Sequence, residues 1–125
     1  MHDAGVSMCD LQPHNILIDD QYNIKIIDLE TAADAEAEQE SSMATKGYYD
    51  KRNRIGKEKD WYSLNRIFQY MLLPIGAVYD FDMKINTVHC RWIREQFGTA
   101  NFEKFLIFQK EALKNISKSK ILKAL

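Results

Sequence analysis

Met8-Cys9-Asp10-Leu11-Gln12-Pro13-His14-Asn15-Ile16-Leu17-Ile18, followed by Ile26-Ile27-Asp28-Leu29-Glu30, is the stretch whose reading decides the fold. Ile16 to Ile18 and Ile24 to Ile27 are short, β-branched and apolar. Asp19 to Asn23 between them is polar and turn-prone, which predicts two strands joined by a tight loop. Upstream, Pro13 stands among residues whose side chains bond readily to backbone, so Asp10 to Asn15 is predicted to be a loop. Asp10 opens this loop, Asn15 precedes the first strand, and Asp28 follows the second. A hairpin brings those strand ends together, so all three side chains are expected to converge on one edge.

Two carboxylates and an amide at one edge suit a hard cation. Mg²⁺ takes oxygen ligands and keeps waters and substrate phosphate oxygens around it. Asn15 offers a neutral oxygen and Asp28 an anionic one. Asp10 is left to accept a proton from an attacking hydroxyl. Phosphoryl transfer asks little more of this part of a site than positioning and charge neutralisation.

The surrounding composition is that of one small globular domain. The chain has 125 residues, 46% of them hydrophobic and 28% charged. Its net charge of -1 supplies no field to recruit nucleic acid or an anionic membrane. Cys9 and Cys90 lie far apart and are expected to be reduced thiols. No run approaches the roughly 18 apolar residues of a membrane span. The start has no basic region leading into an apolar one, so a cytoplasmic location is expected.

Downstream of Asp28 the residues Glu30, Asp34, Glu36, Glu38 and Glu40 carry charge of one sign. Thr31 to Lys46 is therefore expected to be exposed and mobile, with partial helix. Gly47-Tyr48-Tyr49-Asp50 and Ile55-Gly56 are expected turns. Asp60 is the expected N-cap of a helix carrying Trp61, Leu64, Phe68, Met71 and Leu72 and running up to Pro74. A second helix is predicted over Ile85 to Phe97, ending at Gly98. Asn101 is the expected cap of a third, with Phe102, Phe105, Leu106, Leu113 and Ile116 on one side. Trp61 and Trp92 read as packing residues. His14 and His89 have no cluster around them that suggests ligation. The basic tail, Lys114 to Leu125, reads as a solvated helix face.

These motifs resemble those of protein kinases. The kinase catalytic loop reads His-Arg-Asp-Leu-Lys-Pro-x-Asn and the metal motif Asp-Phe-Gly. This chain has Asp10-Leu11-x-Pro13-x-Asn15 and Asp28-Leu29-Glu30 in the same order. Met1 to Val6 looks like the end of the helix before that loop, and Lys46-Gly47-Tyr48-Tyr49 like the end of an activation segment. Asp60-Trp61-Tyr62-Ser63-Leu64 looks like the start of the buried central helix of the C-terminal lobe. The resemblance implies that Asp60 holds the backbone of the catalytic loop. Within kinase-like folds the chain most resembles the kinase domain of class III and IV lanthipeptide synthetases. Ile27-Asp28-Leu29-Glu30, Gly47-Tyr48-Tyr49, Asp60-x-Tyr62-Ser63-Leu64, Leu72-Leu73-Pro74 and Phe97-Gly98 carry that likeness.

The resemblance implies an α+β fold: a mainly helical C-lobe with one small β-hairpin and no N-lobe. Residues 1–125 form a partial kinase-like domain, with its catalytic loop at 8–18, metal motif at 28–30, activation segment at about 31–52 and helices from about 60. The implied activity is ATP-dependent phosphorylation of Ser or Thr hydroxyls, on a peptide such as a lanthipeptide precursor. Asp10 is the implied base, Gln12 assists at the phosphate, and Asn15 and Asp28 hold Mg²⁺. Leu17 and Ile27 form the floor under the adenine. The implied partners are a peptide or protein substrate, and an N-lobe or a cyclase domain.

Several positions depart from the family pattern. Cys9 replaces the Arg that pairs with an activation-loop phosphate, which argues against activation by phosphorylation. Met8 replaces His. Gln12 replaces Lys and weakens one electrostatic contribution. Asp50-Lys51-Arg52 stands where kinases have Ala-Pro-Glu. With no Gly-rich loop or strand Lys, the isolated chain is expected to bind Mg-ATP weakly or not at all and to be inactive by itself. The alternative is a catalytically inactive remnant or pseudokinase-like binding module.

Overall fold

The computed structural model describes residues 1–39, 54–72 and 83–116. Three helices dominate: α1 (Gly56–Leu72), α2 (Met83–Phe97) and α3 (Thr99–Ile116). Among the described residues, six short strands pair as three two-stranded antiparallel ladders. The expected hairpin is β2 (Ile16–Ile18) with β3 (Ile24–Ile26), in the register Ile16↔Ile26, Leu17↔Lys25 and Ile18↔Ile24. Its turn is tied by Asp19, whose carboxylate accepts the Gln21 and Asn23 N–H groups at 2.8 Å each. The architecture is the α+β, mainly helical arrangement expected of a kinase-like C-lobe, with two ladders beyond the single hairpin anticipated.

Those two ladders correct the reading of the acidic segment. β1 (Val6–Ser7) pairs with β4 (Ala33–Asp34), and β5 (Glu38–Gln39) pairs with β6 (Arg54–Ile55). Residues 31–39 therefore contain strand and turn, not helix. Ala35 is fully buried, and its N–H bonds to the Gly5 carbonyl at 3.0 Å. Like charges remain solvated while small alanines and backbone bonds take the contacts. Residues 40–46, and the expected turn at 47–50, lie outside the described residues.

α1 begins a turn earlier than the sequence suggested. Lys57-Glu58-Lys59 are all good helix formers, so α1 extends back to Gly56, and Asp60 stands inside it and is not its N-cap. Ile55 closes β6 and Gly56 opens α1, where a turn was expected. A Cβ at Gly56 would collide with the Ser7 hydroxyl and lie 2.8 Å from the Asp34 carbonyl. Only glycine lets α1 start so close to the β1–β4 ladder.

α2 ends as expected, at Gly98 with φ 82°. α3 starts at Thr99, so Asn101 lies within it. Its side-chain amide donates to the Phe97 carbonyl at 2.9 Å, serving the end of α2 instead of capping α3.

Two apolar clusters share α1. One contains Met8, Leu11 and Ile67, with Ile16, Ile26 and Leu64 against it. The other contains Ile93, Phe102 and Phe105, with Phe68, Leu72, Trp92 and Leu106 against it. Phe68 meets Phe105 at 5.6 Å and Phe108 edge-on at 4.5 Å between centroids. Burial of each such side chain is worth roughly 1.5–3 kcal/mol. Met71 departs from the expected apolar face of α1 and is 70% exposed, and Leu113 of α3 is also exposed. No helix among the described residues is long and apolar enough to cross a membrane.

Candidate active site

The candidate site is built on the loop between β1 and β2. Met8 and Leu11 are buried and anchor it in the first apolar cluster. Between them Cys9 adopts φ 64°, a left-handed conformation costly for a non-glycine residue. The surroundings over-determine it. Asp60, buried in α1, accepts the Met8 N–H at 2.8 Å and the Cys9 N–H at 2.9 Å, one on each carboxylate oxygen. The loop-holding role that the resemblance implied for Asp60 is therefore present as two hydrogen bonds.

His2 adds a third bond to the same carboxylate. Its Nε2 lies 2.7 Å from Asp60 Oδ2, tying the 3-10 turn His2–Ala4 to α1. Beside this pair lies an apolar hollow of about 230 Å³, lined by Leu11, Ile16, Ile26, Trp61 and Leu64 among others. Bonds beside so little competing polarity gain electrostatic strength. Sequence reasoning missed His2, because a contact across 58 residues leaves no local periodicity.

Asn15 closes the loop on itself. It is buried, and its amide nitrogen donates to the Asp10 carbonyl at 3.0 Å. Its backbone N–H bonds to the Gln12 carbonyl at 3.0 Å, within the 3-10 turn Pro13–Asn15. The amide orientation set by the Asp10 bond leaves Oδ1 as an acceptor. The Asn15 carbonyl in turn accepts the Ile27 N–H at 2.9 Å. Asp28 thus follows directly on a residue bonded to Asn15. It is exposed and has φ 61°. Asp10 and Ile27, the neighbour of Asp28, are thus each hydrogen-bonded to Asn15. The donor set of Asp10, Asn15 and Asp28, one neutral amide oxygen and carboxylate oxygens, fits Mg²⁺ completed by water and phosphate oxygens. Among the described residues, no three His, Cys, Asp or Glu side chains form a metal-binding cluster.

The other expected site residues lie nearby. Alternation along the hairpin puts Leu17 and Lys25 on one face, and Ile16, Ile18, Ile24 and Ile26 on the other, while Ile27 follows the last paired residue. Leu17 is half-exposed and Ile27 half-buried. Gln12 is half-buried in the loop, and His14 is exposed.

Two further contacts were not foreseen. The Thr31 hydroxyl donates to the Met8 carbonyl at 2.9 Å. The Ser7 hydroxyl lies 3.1 Å from Cys9 Sγ. Burial pushes the Cys9 thiol pKa up, against the lowering effect of the Ser7 bond, so the group is a thiol at neutral pH. Cys9 and Cys90 are both free.

The order of these parts is a loop with Asp and Asn, a hairpin, a second Asp, and a buried helix whose Asp grips the loop. Residues 1–122 match the family model of the protein kinase domain. No curated protein matches the chain. The chain belongs to the protein kinase domain family.

Proposed function

We propose that the Asp10–Asn15 loop and Asp28 form the catalytic part of a phosphotransfer site acting on Ser or Thr hydroxyls. Phosphotransfer is the chemistry of the family. The observation that carries the assignment is the doubly anchored loop. Asp60 fixes Met8 and Cys9 from below, and Asn15 fixes the Asp10 carbonyl from within. A general base must be held within hydrogen-bond reach of its proton, and the two anchors restrict where Asp10 can go.

In this reading Asp10 orients the attacking hydroxyl and takes its proton as that oxygen bonds to the γ-phosphorus of ATP, while the bond from that phosphorus to the bridging oxygen breaks and ADP leaves. Asn15 and Asp28 hold Mg²⁺, and Gln12 donates to a phosphate oxygen without neutralising it. Leu17 and Ile27 form the apolar floor under the adenine. Mg-ATP, when bound, supplies the phosphoryl group and its charge neutralisation. The substrate we favour is a peptide, on the likeness of Ile27-Asp28-Leu29-Glu30 to the lanthipeptide synthetase motif. Residues 1–125 are read as C-lobe, with an activation segment at about 31–52.

The test is Mg²⁺-dependent phosphate transfer to a Ser/Thr peptide by the chain joined to an N-lobe that supplies a Gly-rich loop and strand Lys. Asp28→Ala is expected to abolish it while preserving the fold by circular dichroism. Undiminished turnover in that variant refutes the metal assignment. A folded wild-type chain that transfers no phosphate even with that N-lobe favours the pseudokinase-like binding module.

A further inference from the structure

The segment after Asp28 is fastened to the catalytic loop by the Thr31 side chain. Leu29-Glu30-Thr31-Ala32 forms a turn closed by the Ala32 N–H on the Leu29 carbonyl at 3.0 Å. That bond commits the Ala32 N–H to the turn. Met8 is fully buried, and its N–H is committed to Asp60 at 2.8 Å. The Thr31 hydroxyl reaches in from the turn and satisfies the Met8 carbonyl at 2.9 Å. One residue beyond that carbonyl, Cys9 holds φ 64°, and Asp10 follows. Three residues before Thr31, Asp28 holds φ 61°.

We propose that Thr31 is a positioning residue that sets the distance between Asp10 and Asp28. This inference rests on the phosphotransfer reading above. Left-handed Cys9 directly precedes one carboxylate and the other, Asp28, is itself left-handed, and each relaxes if its neighbours let go. The hairpin links the strand ends at Asn15 and Ile27 but leaves Asp28 to Ala32 outside any ladder. The β1–β4 ladder begins again only at Ala33. Between those ladders the Thr31 hydroxyl bonds the Asp28 side to the loop, and it lands on the same residue that Asp60 holds. Met8 is therefore held on both its backbone polar groups, by α1 on one and by the turn on the other. A valine at this position keeps the shape and removes the donor. A serine keeps the donor.

The test uses isotope-labelled full chain as wild type, Thr31→Val, Thr31→Ser and Asp28→Ala. Two quantities are read: amide hydrogen exchange at Met8, Cys9 and Asp10, and the Mn²⁺ affinity from paramagnetic broadening of the Asn15 side-chain amide. Thr31→Val is expected to speed exchange at these amides and weaken Mn²⁺ binding, each by roughly fivefold, the effect of one hydrogen bond. Thr31→Ser is expected to stay near wild type. Asp28→Ala is expected to lose Mn²⁺ broadening while keeping slow exchange at Met8. Thr31→Val with unchanged exchange, or with faster exchange but unchanged Mn²⁺ affinity, overturns the positioning role. So does a serine variant that behaves like the valine. A wild-type chain that shows no Mn²⁺ broadening sinks the ion-site reading, and the positioning role with it. Exchange data then report separately whether the Thr31 clamp exists.

Discussion

The two ends of this molecule are held by different physics. Around Asp60 a handful of directional bonds fix single backbone groups, and two non-glycine residues sit at φ 64° and 61°. Around Phe105 the helices are held by volume: Phe68, Phe102, Phe108 and Ile93 fill space between α1, α2 and α3. A packed aromatic cluster tolerates small shifts of its members. A carboxylate with one N–H on each oxygen does not. Precision is concentrated where strain is stored, and bulk stability where it is not.

Truncating each end should separate the two. Phe105→Ala is expected to cost about 3–5 kcal/mol in a denaturant melt, by lost transfer energy and a residual cavity. Its amide chemical shifts at Met8 to Asn15 should stay near wild type. Large shifts there would mean that the two ends are not independent. Asp60→Ala is expected to cost less, about 2–4 kcal/mol, because the Met8 and Cys9 N–H groups lose their acceptor. It should nonetheless eliminate phosphate transfer, and transfer surviving in that variant would break the comparison.

Gly56→Ala sharpens it. The added methyl meets the Ser7 hydroxyl and the Asp34 carbonyl, so α1 must retreat from the β1–β4 ladder. The expected cost is about 1–3 kcal/mol, with faster hydrogen exchange at Ala35. An unchanged melt would show that the ladder yields freely.

The smallest effect concerns His89, buried on α2 with an unpartnered Nε2. Burial lowers its pKa below the ordinary histidine value, and the Arg66 charge adds to the lowering. The unfolded chain takes up this proton near pH ~6.5, before the folded chain does. Between that pH and the lower folded pKa the unfolded state binds more protons, so stability falls as pH drops. His89→Gln should flatten the fall, read as the difference in denaturant midpoint between pH 7.5 and 5 relative to wild type. A wild-type slope equal to the variant's would show that His89 carries none of it.

The legible parts of the fold were those with local signals. The isoleucine runs around Asp19–Asn23 predicted β2 and β3, and Gly98 predicted the end of α2. The role of Asp60 followed from motif order. Its place inside α1 did not, because a good capping residue and a buried acceptor look alike in sequence. Asn101 misled in a related way, since a capping asparagine and an exposed one donating to the preceding helix also look alike. β1, β4, β5 and β6 are two residues each, too short for periodicity, and pair across long separations. Thr31 and His2 gave no sign of their bonds, since each acts on a group distant in the chain.

α1 is the wall common to both apolar clusters, with Leu64 and Ile67 on one and Phe68 and Leu72 on the other. Its central turns cannot fray by themselves, because opening them exposes both cores together. The amides there should be the slowest in the protein to exchange with solvent, and only through whole-molecule unfolding. The element that anchors the loop therefore keeps its grip for as long as the protein remains folded.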